Sequence, residues 1–129
     1  MDTTQLKRIP LFSGASDEEL KQVAAFAESK EVDDGTEVVS EGGFSRELLA
    51  IEDGTAEVTR DGEKIPDLGP GDVFGEQGML DDDMRAATVT ATSRMKLISL
   101  GHFEVKRLKK DAPGVYKSIE DLVEERKKA

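Results

Sequence analysis

Residues 47–75, ELLAIEDGTAEVTRDGEKIPDLGPGDVFG, decide the fold class, because short apolar and β-branched runs alternate with turn signals every few residues. The runs at 47–52, 55–60, 63–67 and 72–74 are each too short for a helix of ordinary length. The Asp61-Gly62 dipeptide between two of them is a hairpin turn signal, since both residues tolerate positive φ. Working outward, the same pattern predicts strands at 29–33, 37–41, 86–92 and 95–100, with glycines at 35, 42, 43, 54, 62, 69, 71 and 75 punctuating the series. About eight strands at a spacing of roughly eight to twelve residues indicate a sandwich or barrel.

Helical periodicity flanks this β region on both sides. Ser16 followed by Glu19 reads as a capping box, and Leu20, Val23, Ala24 and Ala27 then line one face, which predicts a helix over residues 16–28. Before it, Ile9, Pro10, Leu11 and Phe12 form a compact apolar knot, preceded by a polar stretch able to form one or two turns. After Gly101, Phe103, Val105 and Leu108 resume helical spacing, Pro113 breaks it, and Val115, Ile119, Leu122 and Val123 continue it, so two C-terminal helices are expected.

Composition narrows the chemistry. The chain has 129 residues, 36% hydrophobic and 5% aromatic, with no Cys and a single His. Thiolate metal sites, disulfides and a cysteine nucleophile are excluded together, and any histidine-based triad depends on His102 alone. No metal centre and no catalytic site are expected. Residues 1–100 hold 10 basic and 22 acidic side chains, net −12, whereas residues 101–129 hold 8 and 6, net +2. An acidic body repels phosphate backbones, so direct nucleic-acid binding is not expected. With no run of about 18 apolar residues and no signal-like apolar stretch near Asp2, the expectation is one cytoplasmic domain that makes no use of the membrane.

Residues 68–92, LGPGDVFGEQGMLDDDMRAATVTAT, carry the binding chemistry. Gly75 permits close backbone approach, and the run Glu76–Leu80 can form one or two helical turns whose leading amides face an anion. The Arg85 guanidinium can clamp two phosphate oxygens. A carboxylate at Glu76, beside that phosphate, makes sense when it accepts from a sugar hydroxyl, and phosphate with sugar means a nucleotide.

Here FGEQGML and RAATV resemble the phosphate-binding cassette of the cyclic nucleotide-binding domain, the sensor module of protein kinase A regulatory subunits and catabolite activator-type regulators. The resemblance extends through IPLFSGASDEEL, VDDGTEVVSEGG, LLAIEDGTAEV and LGPGDVFGE. It implies an α+β fold: an eight-stranded antiparallel β jelly-roll barrel with N-terminal helices, a short phosphate-cassette helix and two C-terminal helices. A single domain over 1–129 then divides into an N-terminal helical segment (1–28), a barrel (29–100) with its cassette (74–89), and C-terminal helices (101–129).

The resemblance further implies that Glu76 accepts the ribose 2′-hydroxyl and that Arg85 pairs with the cyclic phosphate. Gly75, Ala86 and Ala87 contribute backbone contacts, and Phe74, Gln77 and Gly78 complete the cassette side of the ligand-binding set. Gln77 and Gly78 replace a commoner aliphatic–Ala pair, Met84 a frequent Pro, and Ser45 a common Gly. Ala86 stands where guanine-preferring members carry Thr or Ser, which leans toward cyclic AMP, with cyclic GMP the other candidate. In this family an apolar or aromatic C-terminal side chain often closes over the base, and Tyr116 and Leu122 are the candidates by position.

The expected protein is a non-enzymatic, stand-alone cyclic-nucleotide sensor that signals through its C-terminal helices to an effector protein or through a homodimer. Alternatives stay open beside this reading. Arg85 can instead pair with Asp81, Asp82 or Asp83, Glu76 can be a solvated surface group, and Tyr116 and Leu122 can simply pack the last helix. His102 is expected at the surface. The rival for the whole chain is a domain of the same fold that takes no nucleotide and binds proteins through its acidic surface.

Overall fold

The computed structural model describes residues 1–40, 47–75 and 87–128. The N-terminal segment comprises helix α1 (Thr3–Lys7), a 3-10 turn (Pro10–Phe12) and helix α2 (Asp17–Phe26). Eight strands follow: β1 (Glu28–Val32), β2 (Glu37–Val39), β3 (Glu47–Asp53), β4 (Ala56–Arg60), β5 (Glu63–Leu68), β6 (Val73–Phe74), β7 (Thr88–Ala91) and β8 (Met95–Gly101). Helices α3 (His102–Asp111) and α4 (Pro113–Lys128) close the chain. The expected cassette helix lies outside the described residues.

Local chemistry accounts for these elements. At the start of α2 the Glu19 amide donates to Ser16 Oγ at 3.2 Å and the Ser16 amide donates to Glu19 Oε1 at 3.3 Å. This satisfies two amides that the helix leaves without partners. The helix ends at Phe26, two residues before the sequence-based boundary, because Ala27 is already extended (φ −75°, ψ 143°) and feeds β1. Asp61 and Gly62 carry positive φ, 52° and 80°, and join β4 to β5 in the expected hairpin.

The strands form two antiparallel four-stranded sheets, ordered β1-β8-β3-β6 and β2-β7-β4-β5. The jelly roll is therefore a sandwich of two sheets rather than a ring closed by hydrogen bonds among the described residues. Its pairing is non-local: β3 runs against β8 from Glu47↔Gly101 to Asp53↔Lys96, and β1 pairs with the other side of β8.

Side-chain parity divides the core in two. Along β3 and β8, Leu48, Ala50, Ile98 and Leu100 face the helices, where they pack with Leu6, Phe12, Leu20, Val23, Leu108, Val115 and Ile119. The alternate residues, Leu49, Ile51, Met95 and Leu97, face the opposite sheet and pack with Val58, Phe74, Val89 and Ala91. A sheet covered on both faces needs apolar residues at successive positions. This is why LLAI in β3 is an unbroken apolar run and LISL in β8 is buried throughout with Ser99 its one polar member, whereas β4 alternates buried Ala56 and Val58 with half-buried Glu57 and Thr59. His102 departs from expectation: as the first residue of α3 it is buried, its ring edge-on to Phe103 at 5.5 Å between centroids. It lies one helical turn before Val105 and two before Leu108, so the face of α3 that packs into the core carries His102 with it.

Candidate functional site

The approach to the cassette is built on the sheet that the helices cover. In the turn 69–72, the Gly69 amide donates to Asp72 Oδ2 at 2.8 Å, and the Asp72 amide to Gly69 O at 3.1 Å. The turn is tied to β3 by Gly71 N to Ile51 O and Ile51 N to Asp72 O, both 2.8 Å. Gly71 has φ +93°, and a Cβ there would meet Pro10 Cδ at 3.3 Å, so the N-terminal 3-10 turn presses against this corner. The glycines of LGPGD thus serve a tight turn rather than a nucleotide loop of their own.

From that corner β6 pairs with β3, Ala50↔Val73 and Leu49↔Phe74, and buries Phe74 in the inter-sheet core. Gly75 follows with φ +82°, a conformation that carries a steric penalty for any residue with a Cβ. The chain is described again at Ala87, which packs half-buried against the same inner core, and β7 then joins the other sheet beside β2 and β4. Of the expected ligand-binding set, Phe74 and Ala87 pack in the inter-sheet core, and Gly75 directly follows Phe74. Glu76, Gln77, Gly78, Arg85 and Ala86 lie outside the described residues. β6, described just before them, belongs to one sheet and β7, described just after them, to the other, and the facing ends of these two strands lie at one end of the sandwich.

A polar group at the same end was not foreseen from sequence. Lys30 Nζ donates to Glu47 Oε2 at 2.5 Å, and the hydroxyl of buried Ser99 donates to the same oxygen. By strand parity these three side chains lie on the inner face with Val32, Leu49 and Leu97. Antiparallel pairing of β3 with β6 puts the Glu47 end of β3 next to the end of β6 that runs into Gly75. The available signal was parity: polar residues at inward positions near one end of β1, β3 and β8.

Tyr116 and Leu122 are elsewhere. Both are partly buried against the helix-side core, with Val115 and Ile119 of α4. Burial, and secondarily the neighbouring Glu120 charge, pushes the Tyr116 hydroxyl above its ordinary pKa. Among the described residues no three His, Asp or Glu side chains gather as metal ligands, and no helix is long and apolar enough to cross a membrane.

Two facing antiparallel sheets flanked by N- and C-terminal helices define a jelly-roll domain. The family model described as "Cyclic nucleotide-binding domain" matches residues 29–111. The chain belongs to the cyclic nucleotide-binding domain family. A cAMP-dependent protein kinase regulatory subunit from Yarrowia lipolytica is 38% identical over 105 residues, covering 80% of this chain and 28% of that protein. This chain spans 32% of the Colletotrichum orbiculare regulatory subunit and 22% of the Hypocrea atroviridis one. The structure of cAMP-bound PfPKA-R superposes with a TM-score of 0.84 at 26% identity, over 98% of this chain and 44% of that one. Thermus thermophilus catabolite activator protein gives 0.83 at 25% identity, over 92% and 58%.

Proposed function

We propose that this domain is a non-catalytic cyclic-nucleotide sensor that prefers cyclic AMP. The observation that supports it most is that Phe74 and Ala87, which lie within the family's FGE and RAATV signatures, both pack in the inner core. Relatives named as cAMP-dependent kinase regulatory subunits support the ligand class, and Ala86 in place of a hydroxyl residue supports adenine over guanine.

In this reading Arg85 neutralises the cyclic phosphate, Glu76 accepts from the ribose, and the amides of Gly75, Gln77, Gly78, Ala86 and Ala87 complete the cradle. Phe74 and its inner-core neighbours supply an apolar wall. Tyr116 or Leu122 reaches the base only when α4 leaves the helix-side core, so ligand binding shifts the position of α4 by the difference in affinity between its two arrangements. That movement is the signal passed to an effector protein.

Titration calorimetry of the purified chain with cyclic AMP and cyclic GMP tests the proposal. Arg85→Ala costs about 3–5 kcal/mol by stranding a desolvated phosphate, a loss of roughly 100- to 1,000-fold or more in affinity. Binding of cyclic AMP by Arg85→Ala as tight as by the parent refutes the assignment. A second reading, a protein-binding module that takes no nucleotide, is favoured by the three successive carboxylates Asp81–Asp83 inside the cassette segment. Absence of heat with either nucleotide from the parent would decide for it.

A further inference from the structure

Helix α4 spans 16 residues, yet its start, Ala112-Pro113-Gly114-Val115, has no Ser, Thr, Asp or Asn to cap it and no acid in its first turn. Its leading amides are satisfied from the other end of the chain. Glu19 Oε2 accepts from Gly114 N at 2.7 Å and from Val115 N at 3.3 Å, across 95 and 96 positions of sequence. The same carboxylate completes the capping box of α2 through Oε1, which accepts from the Ser16 amide and hydroxyl, both at 3.3 Å.

One side chain therefore caps two helices, and a carboxylate at a helix N-terminus is also favoured by the helix dipole. The clasp is close enough to constrain sequence. A Cβ at Gly114 would lie 2.7 Å and 2.9 Å from the Glu19 carboxylate oxygens, although the Gly114 backbone is not in the left-handed region. A side chain at position 114 would displace the Glu19 carboxylate, so glycine there leaves room for the clasp. The clasp lies beside the junction of α3 and α4, where Ala112 is buried with φ −147° and ψ 67°, outside helical geometry.

We propose that Glu19 is a latch that holds the start of α4 on α2 and opens when α4 moves toward the ligand. The opening step rests on the nucleotide-sensor reading; the latch itself does not. With the clasp broken the closing arrangement is more populated, so a substitution that weakens it tightens nucleotide binding.

The test uses the absence of cysteine from the chain. Spin labels at exposed positions of α2 and α4, introduced as Ala25→Cys and Glu120→Cys, report the inter-helix distance in the 129-residue chain. Glu19→Gln keeps an acceptor oxygen but cannot accept from Ser16 and the α4 amides as a carboxylate does. Gly114→Ala pushes the latch out from the opposite side while favouring helix.

Without nucleotide, both variants are expected to broaden or lengthen the distance distribution, and Gly114→Ala added to Glu19→Gln to change it no further. Cyclic AMP affinity in Glu19→Gln is expected to rise roughly three- to tenfold. Parental distributions in both single variants, or effects that simply add, overturn the latch. An altered distribution with unchanged or weaker cyclic AMP binding overturns the opening step. If the parent binds no cyclic nucleotide, the sensor reading fails and the opening step with it, while the distance measurement still decides the latch.

Discussion

Replacing Gly75 by Ala tests how the backbone at the cassette entrance serves binding, and the molecule contains its own control. Gly75 and Gly62 have nearly the same φ, +82° and +80°, but Gly62 lies in the exposed β4–β5 hairpin, where a Cβ would meet nothing within 4 Å. Alanine in the left-handed region costs about 1–2 kcal/mol, offset by about 0.4–1 kcal/mol from the stiffer unfolded chain. Each variant should lose about 1 kcal/mol of stability, a fall of ~3–5 °C in Tm for a chain of this size. Only Gly75→Ala should affect ligand. To escape the strain, Gly75 must rotate, which pulls on the Leu49↔Phe74 pairing and misaims the cassette amides that follow. Loss of one charge-assisted hydrogen bond, about 1.5–3 kcal/mol, weakens cyclic AMP binding roughly tenfold or more. Thermal unfolding and calorimetric titration of both variants give the comparison. Equal stability losses with equal affinities would refute the claim that the Gly75 conformation aims the cassette.

Two further outcomes are expected. Gly54→Ala should be more damaging than either glycine variant above, because at φ +96° its Cβ would lie 2.5 Å from Arg94 O and 2.9 Å from Met95 Cα; strain and backbone overlap together cost about 2–6 kcal/mol, measurable by urea unfolding. The acid limb of stability should depend on Glu19, whose pKa lies below the ordinary 4.5 owing first to the Ser16 amide and then to the Gly114 and Val115 amides, against an opposing effect of burial. A depressed folded-state pKa gives stability that is present above the unfolded value and is lost as pH falls through the folded one. Glu19→Gln should therefore flatten the decline below about pH 5, and an unchanged acid limb would show that the clasp is not held in solution.

Legibility in the sequence followed the range of the interactions. The capping box at Ser16–Glu19, the Asp61-Gly62 hairpin and the eight strands depend on neighbours in sequence, and each appears within a residue or two of its expected place. The family resemblance in FGE and RAATV was legible because short runs of neighbouring residues carry it. The Lys30–Glu47–Ser99 group was not, because its members come from three strands that only β1-β8-β3 pairing unites.

By itself the chain's order of residues determined the alternation of helix and strand, the jelly-roll class and the resemblance to cyclic nucleotide-binding domains. Tertiary structure decided which face of β3 and β8 meets helices and which meets the other sheet, the burial of His102, and the packing of Tyr116 and Leu122 on the helix side. It also turned Glu19 from the cap of one helix into the cap of two. Local patterns record what a residue prefers, whereas contacts across 95 positions exist only after the sheets have paired and brought the two ends of the chain together.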